Sequence, residues 1–146
     1  MKFNFKLENV LKQRQLTEDI AQKNYREADA YLREEERRLR EMRAKVVEAR
    51  DYAHTTVTNI ALPQVTLAQV HEFIKGQDVR IERQLKKVQE IERRVEDLRE
   101  ILRLRAIDTK IMEGLKEKKR EQFAEKKAKL EQKNNDDLMV MRHGRA

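Results

Sequence analysis

The chain has no cysteine, no tryptophan, one proline and three glycines among 146 residues, and each scarcity excludes something. Without cysteine there are no disulfides and no thiolate metal sites, which is compatible with a reducing compartment. With proline only at 63 and glycine only at 76, 114 and 144, little in the chain stops a helix. Aromatic residues make up 5% and hydrophobic residues 38%, too little for a thick globular core. The longest strongly apolar run, Leu138 to Met141, is far below the roughly 20 residues of a membrane span. The opening, Met1 to Glu8, lacks the apolar core of a signal peptide. A soluble, cytoplasmic protein without direct membrane insertion is expected.

What is present is charge, at 42% of residues, together with leucine, alanine and glutamine. This is the composition of long helices in a thin, elongated fold, and disorder is its rival. The net charge of +7 and a pI near 9.7 point to an acidic partner or surface. Yet 27 acidic residues interleave with 34 basic ones, which weakens a nucleic-acid interpretation.

Seven-residue columns argue against disorder. Before Pro63 one column runs Tyr25, Leu32, Leu39, Val46, Ala53, Ile60, and a second runs Leu7, Arg14, Ala21, Ala28, Glu35, Met42, Ala49, Thr56. A strict heptad over this many turns marks a left-handed coiled coil, because 3.5 residues per turn keeps one seam facing a partner. Glu35 at a seam position is expected to weaken packing locally. The run Arg33 to Arg43 carries acids four residues ahead of bases, as in Glu34 to Arg38 and Glu41 to Lys45, and reads as a solvated face.

Ile60 to Thr66 interrupts this pattern. Pro63 disfavours helical geometry at Leu62, and Thr66 followed three residues later by Gln69 has the capping-box form of a new helix start. A short helix from Thr66 to Lys75 ends near Gly76 in this reading. A further column, Ile74, Ile81, Val88, Val95, Leu102, then begins. From Leu104 the apolar residues shift through Ile107, Ile111, Leu115, Phe123, Leu130 and Leu138, so the seam is expected to drift around the helix.

The fold class is therefore all-α, an elongated antiparallel two-helix coiled-coil hairpin with a short helix or kink near the connection. It forms a single domain over 1–146, with a helix at about 5–60, the connection and short helix at 61–76, and a second helix at about 77–141. The first arm is roughly 80 Å long at 1.5 Å per residue. Folding back sets residues near 5 alongside residues near 130.

No catalytic constellation, cofactor motif or metal site is expected. His71-Glu72 has no second histidine four residues after the first, and His54 and His143 lack supporting ligands. There is no glycine-rich phosphate loop, and a two-helix rod offers no obvious concave pocket. The stretch Lys110 to Lys133 holds nine basic and five acidic residues. Its acids Glu113, Glu117, Glu121 and Glu125 form a stripe that would meet phosphates badly, so a protein partner is expected there and no nucleic acid.

The ends carry a resemblance. The opening Lys2-Phe3-x-Phe5-x-Leu7-Glu8-x-Val10-Leu11-x-x-Arg14, continuing to Glu18-Asp19-x-Ala21, resembles the N-terminal pattern of the flagellar export protein FliJ family. The stretch Phe123-x-x-Lys126, then Glu131-Gln132-Lys133-x-x-Asp136-Asp137-Leu138, is similar to that family's C-terminal stretch. The resemblance spans nearly the whole chain. It implies a non-enzymatic cytoplasmic component of the flagellar type III export apparatus, peripherally associated with the membrane through that apparatus. The implied role is a coiled-coil stalk that binds the hexameric export ATPase, promotes its ring assembly, contacts the export gate membrane protein and handles export chaperones.

Carried over by motif, the residues implied to meet the ATPase are Phe3, Phe5, Leu7, Arg14, Glu131, Gln132, Lys133 and Asp136. Phe3, Phe5 and Leu7 could instead staple the helix ends together. Arg14, at a seam position, needs an acid such as Glu131 or Asp136 nearby. For the export gate, the matching aromatic positions are Tyr52 and Phe73, although Phe73 could equally be core beneath the short helix. The alternatives are the stalk protein of a virulence type III system and a generic structural or chaperone-like coiled coil.

Overall fold

A computed structural model describes residues 1–58 and 66–144. Two helices account for nearly all of them, α1 over Glu8–Thr58 and α2 over Leu67–His143. The described residues contain no strand, and the two helices pair antiparallel. The expected connection around Pro63 lies outside the described residues. Its far edge is visible: the Thr66 backbone N–H donates to Gln69 Oε1 at 3.1 Å, and the Gln69 N–H donates to Thr66 Oγ1 at 3.3 Å. That is the reciprocal capping box the sequence announces.

The expected stop at Gly76 does not occur. α2 passes through Gly76, and later through Gly114, without a positive φ at either. Glycine costs a helix interior only about 1 kcal/mol relative to alanine, less than cross-helix packing on either side returns. The separate short helix is therefore the first two turns of α2.

The chain divides into two compact units. Unit 2 is Gln22–Ile101. Its core comprises Leu39 and Val46 from α1 with Val70, Val88, Val95 and Leu98 from α2. Burial of each contributes about 1.5–3 kcal/mol. On α2 the protected positions alternate by three and four from Val70 through Ile74, Gln77, Ile81 and Gln84 to Val88, the coiled-coil seam.

Glu35 sits in that seam with only 2% of its surface exposed. Gln84 Nε2 donates to its carboxylate at 2.7 Å and to its backbone carbonyl at 2.9 Å. Lys87 and Arg38 each bring a cation to 3.4 Å. The polar residue that sequence alone marks as a weak point is thus fully partnered. Gln77, also buried, leaves its Oε1 without a partner among the described residues, at a cost of about 1–3 kcal/mol.

Unit 1 is Met1–Ala21 with Leu102–Ala146. Phe5, Leu11 and Ala21 are buried here. The α2 seam does not drift as expected. Protection continues at seven-residue steps through Leu102, Thr109, Lys116 and Phe123, while Leu104, Ile107 and Ile111 face outward. Thr109 tolerates burial because its hydroxyl donates to the Arg105 carbonyl of its own helix at 3.1 Å. Helix pairing fixes the seam, and the apolar residues depart from it.

The pairing register also differs from the expected one. The Phe3 ring lies 5.6 Å from that of Phe123, and Lys116 Nζ lies 2.8 Å from Glu8 Oε2. Residues near 5 therefore meet residues near 120, and every described residue after Phe123 is exposed.

Two outcomes follow from these placements. A Cβ built at Gly76 meets nothing within 4 Å, so Gly76→Ala should stabilise the protein by about 0.5–1 kcal/mol in urea unfolding. For Glu35, the hydrogen bond from Gln84, helped by the charges of Arg38 and Lys87, holds the carboxyl below its usual 4.5 against the opposing effect of burial. Its stabilisation is complete above the unfolded value and is lost as pH falls through the lower folded value. Acid titration of stability should show this loss, and Glu35→Gln should flatten it.

Candidate partner-binding surfaces

The N-terminal motif folds into a small aromatic cap on unit 1. Residues 1–5 precede the helix, a turn at Lys6 and Leu7 lets the Glu8 N–H donate to the Phe5 carbonyl at 3.2 Å, and α1 begins there. Phe5 is buried, Phe3 is half-buried against Phe123, and Arg120 stacks over Phe3 at 5.7 Å from the ring centre. Leu7 is exposed. Phe3 packs on α2 at Phe123, well short of the end of that helix at His143, so the two helix ends are not stapled together. Phe3 and Phe5 leave beside them a cavity of about 510 Å3.

Arg14 is not buried. It lies 3.6 Å from Asp108 Oδ2, with about half its side chain in water, rather than beside Glu131 or Asp136. The register offset is the reason: α2 reaches Asp108 at the level of Arg14. Glu131, Gln132, Lys133 and Asp136 all lie beyond Phe123, on the stretch of α2 that nothing in the described residues covers. Eight residues of helix, about 12 Å, separate Phe123 from Glu131. The structure brings Phe3, Phe5 and Leu7 together and leaves the four C-terminal candidates on a free helix.

In unit 2, Tyr52 and Phe73 line one surface groove of about 500 Å3, floored by Ala49 and Val70 and edged by Lys45, Glu48 and Gln69. Phe73 is 45% exposed, so it is not core beneath a short helix. Gln77, one turn on, points into the seam and does not share the face of Phe73.

Several participants are invisible to motif reasoning. Lys116 as the partner of Glu8, and Asp108 as that of Arg14, depend on register, which no local pattern states. The Glu8 carboxyl is held below its usual value by the hydrogen bond to Lys116, opposed by desolvation. No cluster of three or more histidine or acidic residues able to hold a metal ion occurs among the described residues.

Comparison with known proteins returns one family. The pattern of the family described as flagellar FliJ protein matches residues 2–146. No curated protein and no solved structure matches the chain.

Phe5 is the anchor of the N-terminal cap. Phe5→Ala should remove about 3 kcal/mol of local packing, read as faster amide exchange at residues 8–12 and 112–123. Exchange at residues 30–50 should not change.

Proposed function

The chain belongs to the flagellar FliJ protein family, a component of flagellar protein export, and from that premise we propose that it acts without catalysis as a coiled-coil accessory of the export ATPase. The family match along essentially the whole chain is the observation that carries this reading. Unit 1 would be the ATPase-facing part. Its candidate contacts are Phe3, Phe5, Leu7 and Arg14 around the cap, with Glu131, Gln132, Lys133 and Asp136 on the free part of α2.

The free part of α2 supports that assignment on physical grounds. Residues 124–143 continue α2 as helix yet are wholly exposed, so they lack the packing from which most helical stability in proteins comes. Leu130, Leu138 and Met141 stand on it uncovered. A helix of this kind gains from a groove on another protein, and a ring-shaped ATPase would supply one. Engagement would promote ring assembly.

Tyr52 and Phe73 serve a second contact in the same proposal, with the export gate membrane protein. Their shared groove is open and apolar at its base, which suits one or two inserted apolar side chains. Handling of export chaperones and peripheral membrane association through the apparatus complete the proposal. No helix of the described residues is long and apolar enough to cross a membrane.

Mixing the full chain with the export ATPase should raise ring formation and ATP hydrolysis. Joint alanine substitution at Glu131, Gln132, Lys133 and Asp136 should weaken the effect about tenfold, equivalent to about 1.4 kcal/mol. Tyr52→Ala with Phe73→Ala should leave it intact while weakening gate capture. Unchanged ring formation across all mixing ratios would defeat the proposal.

A further inference from the structure

The cavity beside the N-terminal cap differs in charge from the rest of the chain. Its apolar wall is Phe3, Phe5 and Leu7 on one side and Leu115 and Phe123 on α2. Its charged lining is Lys6, Lys119 and Lys126, and no acidic residue lines it. That is unusual in a chain where 27 acids interleave with 34 bases.

Neighbouring cations sharpen the contrast. Lys116 is matched with Glu8 at 2.8 Å, and Arg120 is shared between the Phe3 ring and Glu117. Both stand outside the lining. Among the described residues Lys6, Lys119 and Lys126 have no ion-pair partner. Leu115, Lys119, Gln122 and Lys126 recur at helical spacing, so one face of α2 presents an apolar contact and then two unmatched cations along its length.

We propose that this cavity is a docking slot for an acidic segment of the export ATPase that carries a bulky apolar side chain, the apolar group packing against the wall of Phe3, Phe5, Leu115 and Phe123 and its flanking carboxylates pairing with Lys119 and Lys126. The inference rests on the assignment of unit 1 to the ATPase and names the chemistry of the contact. Three features select the occupant. About 510 Å3 lies in the range of built ligand pockets. The aromatic wall favours an apolar anchor. The unmatched lysines favour carboxylates and disfavour a basic segment.

The test uses the full chain and, as probe, anilinonaphthalene sulfonate, an aromatic anion with the same chemistry as the proposed occupant. The probe should bind saturably, and adding the export ATPase should displace it. Lys119→Glu with Lys126→Glu should weaken both probe and ATPase binding at least tenfold at unchanged helix content. Lys86→Glu with Arg93→Glu makes the same charge change on exposed positions of unit 2, away from every proposed ATPase contact, and should alter neither.

Equal losses in the two charge variants would overturn the slot in favour of diffuse attraction. ATPase that binds Lys119→Glu with Lys126→Glu as tightly as it binds the native chain, without displacing the probe from that native chain, would overturn the slot while leaving the ATPase assignment standing. ATPase that binds none of the proteins would overturn both. Concentration-dependent self-association that expels the probe would give the slot to a second copy instead.

Discussion

Glu35 and Gln84 hold the hairpin of unit 2 in one register. A heptad seam lined by valine, leucine and isoleucine is nearly indifferent to a slip of seven residues, since each slip sets apolar against apolar. A buried carboxylate is not indifferent. A seven-residue slip that sets Glu35 against Ile91 strands its charge away from the Gln84 amide and the Lys87 ammonium that satisfy it, and the opposite slip trades them for Gln77 and Arg80. An unpartnered buried charge costs more than a few mismatched methyl groups. Tyr25 repeats the logic one step on, accepting from Arg99 at 3.2 Å beneath its guanidinium.

Unit 1 uses weaker versions of the same device. Glu8 with Lys116 and Arg14 with Asp108 are partly solvated pairs, and such pairs contribute little to stability. Their value is positional. They are matched at the level at which Phe3 lands on Phe123, anchored by buried Phe5, and at which α2 continues uncovered beyond it. The cavity beside Phe5 and the free helix carrying Glu131 to Asp136 both follow from that level.

Sequence patterns made much of this legible. The two helices, the seam positions of α1 from Ala21 to Ala53, the capping box at Thr66 and the family all follow from local spacing or end motifs, whereas Leu7 and Arg14, expected in the seam, are exposed. The register did not, because it is decided by cross-helix polar partners such as Gln84 and Asp108, whose roles have no signature in their own neighbourhoods. The course of the seam after Leu102 was hidden for a related reason: Thr109 and Lys116 occupy it while Ile107 and Ile111 stand outside. Gly76 does not end α2 because glycine is a strong stop only where nothing packs on both sides of it. Among the candidate contacts, the aromatic residues were visible by type, and the unmatched lysines became visible only once their neighbours were paired.

The antiparallel pairing of α1 with α2 also ranks its contacts by the length of chain each must close. Glu35 and Gln84 are 49 residues apart and Tyr25 and Arg99 are 74 apart, whereas Phe3 and Phe123 sit near opposite ends of the chain. Closure entropy rises with loop length, so the free chain gains most easily from the nearer pairs, and each one formed shortens the loop left for the next. On closure entropy alone the contacts nearer in sequence cost less to form. The contact of Phe3 with Phe123 closes the longest loop of the three, so the surface offered to a partner is also the one whose formation asks most of the free chain.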